Sequence, residues 1–264
     1  MATDRPDGRF LRAHLGPGLV RMGRAPAHRA GLGRRGDYFE GHSWAGGFGI
    51  LVDGAGDDRY EADCYGQGNA YWHAIGMIVD KSGSDIYYGG EYSLAAAPHF
   101  AIGLLQDDGG DDRYTVTIRQ CLGHGRDWSI AWFEDAAGND FYQGTRTVFG
   151  ASHVNSVSVF WDRHGDDTYI ANGPSFGESE TEHGGSIRDW LPTTAIFVDG
   201  GGRDRYLKLP TDGSLEATSK FIGELRDVSG LEPLKGLGDD RRWVRTAPAP
   251  GTEGFRGVGI DAGR

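Results

Sequence analysis

Two sets of residues in this chain have the types and spacing to do chemistry. The first is a repeated pair of carboxylates. The octapeptide DGAGDDRY, residues 53–60, returns as DKSGSDIY from Asp80, DDGGDDRY from Asp107, DAAGNDFY from Asp135, DRHGDDTY from Asp162 and DGGGRDRY from Asp199. If the copies stack, Asp53, Asp80, Asp107, Asp135, Asp162 and Asp199 form one file. Asp58, Asp85, Asp112, Asp140, Asp167 and Asp204 form a second. Like charges about 5 Å apart repel by ~1–3 kcal/mol at moderate effective dielectric. A hard cation with oxygen ligands relieves that, so the cofactor such files would hold is structural Ca²⁺. The competing reading is local. Asp-x-x-Gly opens a turn, in which the carboxylate accepts backbone N–H groups and Gly takes a positive φ. Either way the motif is a corner, and a poor candidate for catalysis, which does not need six equivalent copies.

The second set lies between each motif and the next. Matched segments read GNAYWHA from Gly68, AAAPHFA from Ala95, GHGRDWS from Gly123 and GASHVNS from Gly150. Their small first column persists while the rest diverges. As a catalytic set, His124 or His153 acts as general base, oriented by Asp127, with Arg126 neutralising a substrate carboxylate. Asn69, Tyr71, Trp72, His73, His99 and Asn155 would surround it as substrate-binding groups. Between Asp162 and Asp199 the spacing grows, and the extra residues fall in FGESETEHGGSIRDW, 176–190. There Glu178, Glu180 and Glu182 alternate before His183, so Glu178 and His183 are candidate contributors from a lid. The same histidines with a carboxylate could hold a transition metal instead.

These residues need elements to position them, and the period supplies the elements. The first aspartates are 27, 27, 28, 27 and 37 residues apart. A fixed period in this range marks a stacked repeat. A weaker copy, GDYFEG at 36–41, precedes them, which gives about seven coils, the first shortened. Two residues before each Asp stand Leu51, Ile78, Leu105, Phe133, Phe160 and Phe197, and four before stand Gly49, Gly76, Gly103, Ala131, Ser158 and Ala195. Small and large residues alternate with the period of a strand. The odd column Ile50, Met77, Leu104, Trp132, Val159 and Ile196 is also large, so both faces are apolar; a dimer contact or a covering segment on the outer face is one reading. Tyr60, Tyr87, Tyr114, Tyr142, Tyr169 and Tyr206 form a packing ladder. A coil this short suits an all-β, single-domain parallel β-helix rather than a propeller blade or a helical repeat. Residues 1–36 read as an Arg-rich arm or cap, 37–210 as the β-helix, 211–245 as a C-terminal cap with a short helix in KFIGELRDVSG (220–230), and 246–264 as a flexible Gly/Pro-rich tail.

The short motif resembles the glycine-aspartate nonapeptides of RTX proteins, which form parallel β-rolls that bind Ca²⁺ between stacked loops. It differs in that whole coils separate its copies and Asp stands first. The period as a whole resembles bacterial parallel β-helix proteins, many of which bind or cut polysaccharides.

Composition bounds the function. The chain has 264 residues, 45 of them Gly, and a net charge of −11. Residues 1–36 carry +6, leaving −17 on the remainder. Such an acidic body argues against nucleic acid as a partner. No apolar run approaches the ~20 residues of a membrane span. The first residues hold no secretory h-region, which reads as cytoplasmic unless a leader precedes them. Cys64 and Cys121 read as free thiols. No phosphate loop, HExxH, CxxC or GxSxG is present. The expectation is therefore a carbohydrate-active enzyme, lyase or hydrolase, with a glycan as partner. The alternatives are a non-enzymatic, calcium-stabilised binding or surface-assembly module, and a transition-metal enzyme on the histidine face.

Overall fold

The computed structural model describes residues 11–15, 18–22, 43–44, 46–172, 175–180, 192–210, 224–237, 242–244 and 256–262. Each coil passes through three parallel sheets. The long sheet contains Phe48–Val52, Ile75–Asp80, Ile102–Asp107, Ile130–Asp135, Val157–Asp162, Thr194–Asp199 and Arg256–Asp261. The second contains Arg59–Cys64, Ile86–Glu91, Arg113–Val116, Phe141–Gln143, Thr168–Ala171 and Arg205–Lys208. The third is made of two-residue strands, Ala97–Pro98, Gly125–Arg126, Ser152–His153 and Ser179–Glu180. Ala70–Tyr71 starts this third side and pairs with Ser43–Trp44. The fold is the expected β-solenoid. Among the described residues five coils are complete on all three sides rather than about seven, and the last third-side strand is Ser179–Glu180. The weak copy at 36–41 lies outside the described residues.

The inside of the long sheet is the column two residues before each Asp. Leu51 through Phe197 point inward and meet the tyrosine ladder of the second sheet. Neighbouring tyrosine rings stack with centroids 4.7–5.0 Å apart from Tyr60 to Tyr206. Phe133, Phe160 and Phe197 stack at 4.7 and 5.3 Å. Leu94, Leu122, Phe149 and Phe176 fill the third corner. Burying each such side chain contributes ~1.5–3 kcal/mol, and ring pairs add ~0.5–1.5 kcal/mol. The small column (Gly76, Gly103, Ala131, Ser158, Ala195) also faces inward, where the third side crosses close by. A Cβ on Gly103 would stand 2.6 Å from the Ala96 carbonyl oxygen.

The motif glycine has a reason that reaches beyond its turn. A Cβ on Gly83, Gly110, Gly138, Gly165 or Gly202 would fall within 1.4–1.8 Å of a carbonyl oxygen in the preceding coil. Positive φ is found at Gly83, Gly110 and Gly202 but not at Gly138 or Gly165. Close approach between coils, and not the turn alone, is what excludes a side chain there.

Corners without glycine use left-handed backbone. The residues at the corner that enters the long sheet come in consecutive pairs with φ from 49° to 63°: Trp72–His73, His99–Phe100, Asp127–Trp128 and Val154–Asn155. Stacking spreads the cost of these conformations, since each pair hydrogen-bonds the next through its backbone. His73 N–H donates to His99 O at 3.2 Å, and Phe100 N–H to Asp127 O at 2.7 Å.

The ends differ from expectation. Residues 224–230 form turns, and there is no helix among the described residues; 220–223 lie outside them. Leu225, Val228 and Leu231 instead pack flat against Ile170, Leu207 and Leu209. Gln143 Oε1 accepts the Leu225 N–H at 2.8 Å. The tail read as flexible contains a strand, Arg256–Asp261, in register with Thr194–Asp199. Gly259 is needed because Trp243 lies over the strand; a Cβ there would stand 1.9 Å from that indole. Trp243 covers Phe197 and Tyr206 and donates to Phe176 O at 3.1 Å. Its strand, Arg242–Val244, runs antiparallel to 256–261. In the Arg-rich segment, Leu11–Leu15 and Gly18–Met22 form an antiparallel hairpin beside Phe48–Val52. Cys64 and Cys121 are free thiols.

Candidate metal centre

The corner between the long and second sheets brings both aspartate files inside the solenoid. All six members of each file are buried except the half-buried Asp204. The first file closes its own turns. Oδ1 of Asp53, Asp80, Asp107, Asp135 and Asp199 accepts the N–H two residues on, at 3.0–3.2 Å. Its Oδ2 atoms accept tyrosine hydroxyls, mostly from the preceding coil: Tyr60 to Asp80, Tyr87 to Asp107 at 2.7 Å, Tyr114 to Asp135 at 2.6 Å and Tyr142 to Asp162 at 2.8 Å. The last two copies turn back on themselves, Tyr169 to Asp162 at 2.9 Å and Tyr206 to Asp199 at 2.7 Å.

The second file binds coil to coil. Oδ1 of Asp85, Asp112, Asp140, Asp167 and Asp204 accepts the backbone N–H of the equivalent Asp one coil earlier, at 2.6–2.8 Å. Hence the Asx-turn reading describes the first file, while the second is an inter-coil ladder. That ladder leaves Oδ2 of Asp58, Asp85 and Asp112 buried without a hydrogen bond. Four triads have ligand oxygens within 4.8 Å of one another: Asp80/Asp85/Asp107, Asp112/Asp135/Asp140, Asp140/Asp162/Asp167 and Asp167/Asp199/Asp204.

Their electrostatics follow from burial. Desolvation first, then repulsion from Asp80, Asp107 and Asp112, pushes the Asp85 carboxyl up to about 9. Burial and then Asp53, Asp80 and Asp57 push Asp58 up to about 6. Asp112, Asp140 and Asp167 are raised by burial and by neighbouring aspartates. Basic side chains pair elsewhere: Lys81 with Asp108, Arg119 with Glu91 and Arg203 with Asp166. A buried carboxylate needs a counter-charge or a proton. The donor set is all oxygen, the chemistry of a hard divalent cation.

The expected catalytic set divides between the core and the third sheet. His124 is fully buried in the core, with Nδ1 2.9 Å from Ala151 O. Burial, then His153, lowers its imidazole to about 3, so it stays neutral. This corrects the expectation of a base facing substrate: its column continues the small, inward residues Ala96 and Ala151. Arg126 and His153 are half-buried neighbours in the third sheet. Asp127 donates its N–H to His153 O at 3.3 Å and pairs through its side chain with His99 one coil earlier, Oδ2 to Nδ1 at 2.8 Å. That pair shares a column, which is the signal by which the sequence reveals it.

The expected binding groups also divide. Asn69 is fully buried and donates to Ala96 O at 2.9 Å. Asn155 is buried, its N–H donating to Thr193 Oγ1 at 2.8 Å. Trp72 and His73 are exposed, and Tyr71 and Trp72 meet the His99 ring edge-on, both at 5.4 Å. Glu178 is half-buried, and its carbonyl accepts the Ser152 N–H at 3.0 Å. His183 and Glu182 lie outside the described residues. Among the described residues every His/Cys/Asp/Glu group able to hold an ion consists of aspartates alone.

No family model matches this chain, and no curated protein or solved structure is similar to it.

Proposed function

We propose that this chain is a non-enzymatic binding or assembly module whose β-solenoid is braced by Ca²⁺ along its aspartate corner. The observation that carries the reading is the set of four aspartate triads, buried but for half-buried Asp204, whose members Asp85 and Asp112 each keep a buried Oδ2 without a hydrogen bond. Three carboxylates per site supply about half of the 6–8 oxygens that calcium takes, and bound water completes such shells. Asp140 and Asp167 each belong to two triads, so adjacent sites share ligands, and successive ions would bind in mutual dependence. The test is elemental analysis of protein purified without chelator, followed by calcium titration with thermal melting. Several calcium ions per chain and a melting point raised by calcium support the proposal. No bound calcium, with melting unchanged by calcium or chelator, overturns it and leaves the carboxyls holding protons.

A carbohydrate-active reading keeps one observation in its favour. The His99–Asp127 pair sits beneath exposed Trp72 at the entry corner, and such a pair can orient a base. Screening uronate polymers for the absorbance of an unsaturated product, with His99→Ala as control, tests it. Absence of turnover, or turnover unaffected by the substitution, ends that reading.

A further inference from the structure

The outer face of the long sheet is apolar from end to end. Its six strands from Phe48–Val52 to Thr194–Asp199 present eighteen outward side chains, of which only Gln106, Glu134 and Thr194 are polar. Glu134 is the one charge, and Arg163 pairs with it while lying over the Trp161 ring. The large hydrophobics that are exposed among the described residues all belong to this face or to the corner that enters it, at 37–46% exposure. Ile75, Ile102, Ile130 and Val157 form one row along the solenoid axis. Phe100 and Trp128 extend the surface into the corner.

We infer that this face is the contact between two copies of the chain, packed sheet against sheet in a two-fold dimer. Size is the first argument. The six apolar strands, ~4.8 Å apart and six residues long at ~3.3 Å each, span about 570 Å², and exposed Trp72, Phe100 and Trp128 extend the surface at the corner. The strands alone stand at the top of the ~300–600 Å² range of the largest apolar patch on a typical monomer, and the corner side chains carry the surface toward the ~800 Å² that each partner buries in a standard interface. Shape is the second: parallel in-register strands make a face that packs on its like at ~10 Å. Charge is the third. A chain of net charge −11 repels its copy, and this face carries one neutralised acid. The corner rings argue against a sugar as occupant. Phe100 stacks on His73 at 5.0 Å and on Trp128 at 6.2 Å, with planes 12° and 11° apart. Their faces meet one another along the axis and present edges to an incoming ligand.

The inference does not depend on calcium. Sedimentation equilibrium of the full chain, in buffer containing calcium, tests it. The expected mass is twice 28.6 kDa. The double variant Ile102→Glu/Ile130→Glu should sediment as a monomer with an unchanged circular dichroism spectrum and melting point in dilute solution. Trp128→Ala, outside the strands, should weaken dimerisation at least tenfold. A monomeric wild type overturns the inference. If the double variant melts early, a segment of the same chain covers the face; if wild type floats with zwitterionic lipid vesicles, a bilayer is the occupant. Either result overturns it as well. A dimer that binds no metal leaves this inference standing while the calcium reading fails.

Discussion

The hydroxyl of Tyr114 donates to Oδ2 of Asp135 at 2.6 Å, across the boundary between two coils. The same tyrosine ring stacks on Tyr87 and Tyr142 at 4.7 and 4.9 Å. One side chain thus ties three coils together, by its faces along the axis and by its hydroxyl at the aspartate corner. The repeat keeps Asp and Tyr together because each completes the other's hydrogen bonding inside a dry core.

Tyr114→Phe keeps the stacking and removes the donor. A buried acceptor left unmade costs about 1–3 kcal/mol. Urea denaturation should show that loss with an unchanged m-value, and the effect should be smaller when calcium is present to take the freed oxygen.

Gly110→Ala tests the close approach of coils. Its Cβ would stand 1.4 Å from the Gly83 carbonyl oxygen, a backbone atom that cannot rotate away. The expected cost is at least ~3 kcal/mol, the upper range for overpacking. Alanine at Gly54, where a Cβ meets nothing within 4 Å, should be close to neutral in the same assay.

Metal-free protein should weaken as pH rises. Asp85 goes from 3.8 when unfolded to about 9 when folded, so the native state holds the proton more tightly. Its contribution is fully present below pH ~4 and is lost as pH rises through about 9. Asp58 acts likewise between 3.8 and about 6. Chemical denaturation in chelator should therefore give a midpoint that falls from pH 5 to pH 9. Calcium should flatten this slope, because the ion replaces the protons.

His124 has the opposite sign. Its pKa falls from 6.5 to about 3 on burial, so its contribution is complete above pH 6.5 and is lost as pH falls toward 3. Exchanging His124 for Gln, which can still donate to Ala151 O, should remove that acid loss. The check is the difference in denaturation midpoint between wild type and variant, from pH 7 to pH 4.

Asp112→Asn keeps the acceptor for the Asp85 N–H and removes one charge. It should lower the calcium count by about one and raise the stability of the metal-free protein at pH 8. Isothermal titration and melting in chelator measure the two halves.

Much of this architecture was legible because a solenoid repeats its instructions. The period, the strand alternation and the tyrosine ladder follow from like residues stacking on like, whereas two large columns, Leu51 to Phe197 and Ile50 to Ile196, left open which face was the interior. The candidate site was legible only in part. The divergent segment after each tyrosine stands out in the sequence, yet it mixes inward and outward positions. His124 differs from Ala96 and Ala151 in its column, and the difference looked like function when it is a polar residue enclosed in the core. Left-handed pairs such as Asp127–Trp128 break the strand alternation, so counting by twos through the corner misassigns which side chain faces out. The strand at 256–261 was hidden because Gly259 answers to Trp243, a partner outside the strand.

The interval between Asp162 and Asp199 is ten residues longer than the one before it, and yet Thr194–Asp199 lies on Val157–Asp162 with every residue in register. Tyr206 stacks on Tyr169 at 5.0 Å, where the preceding pair stands at 4.9 Å. Asp261 then continues the column of Asp199 after a far longer excursion. Stacking, and not the length of the connection, decides which residues become neighbours. The frame behaves as a rack with open slots at its third corner. A peptide grafted between Glu180 and Thr193 would lie outside the paired strands on either side of it, which makes that position the place where this scaffold can acquire new recognition without refolding.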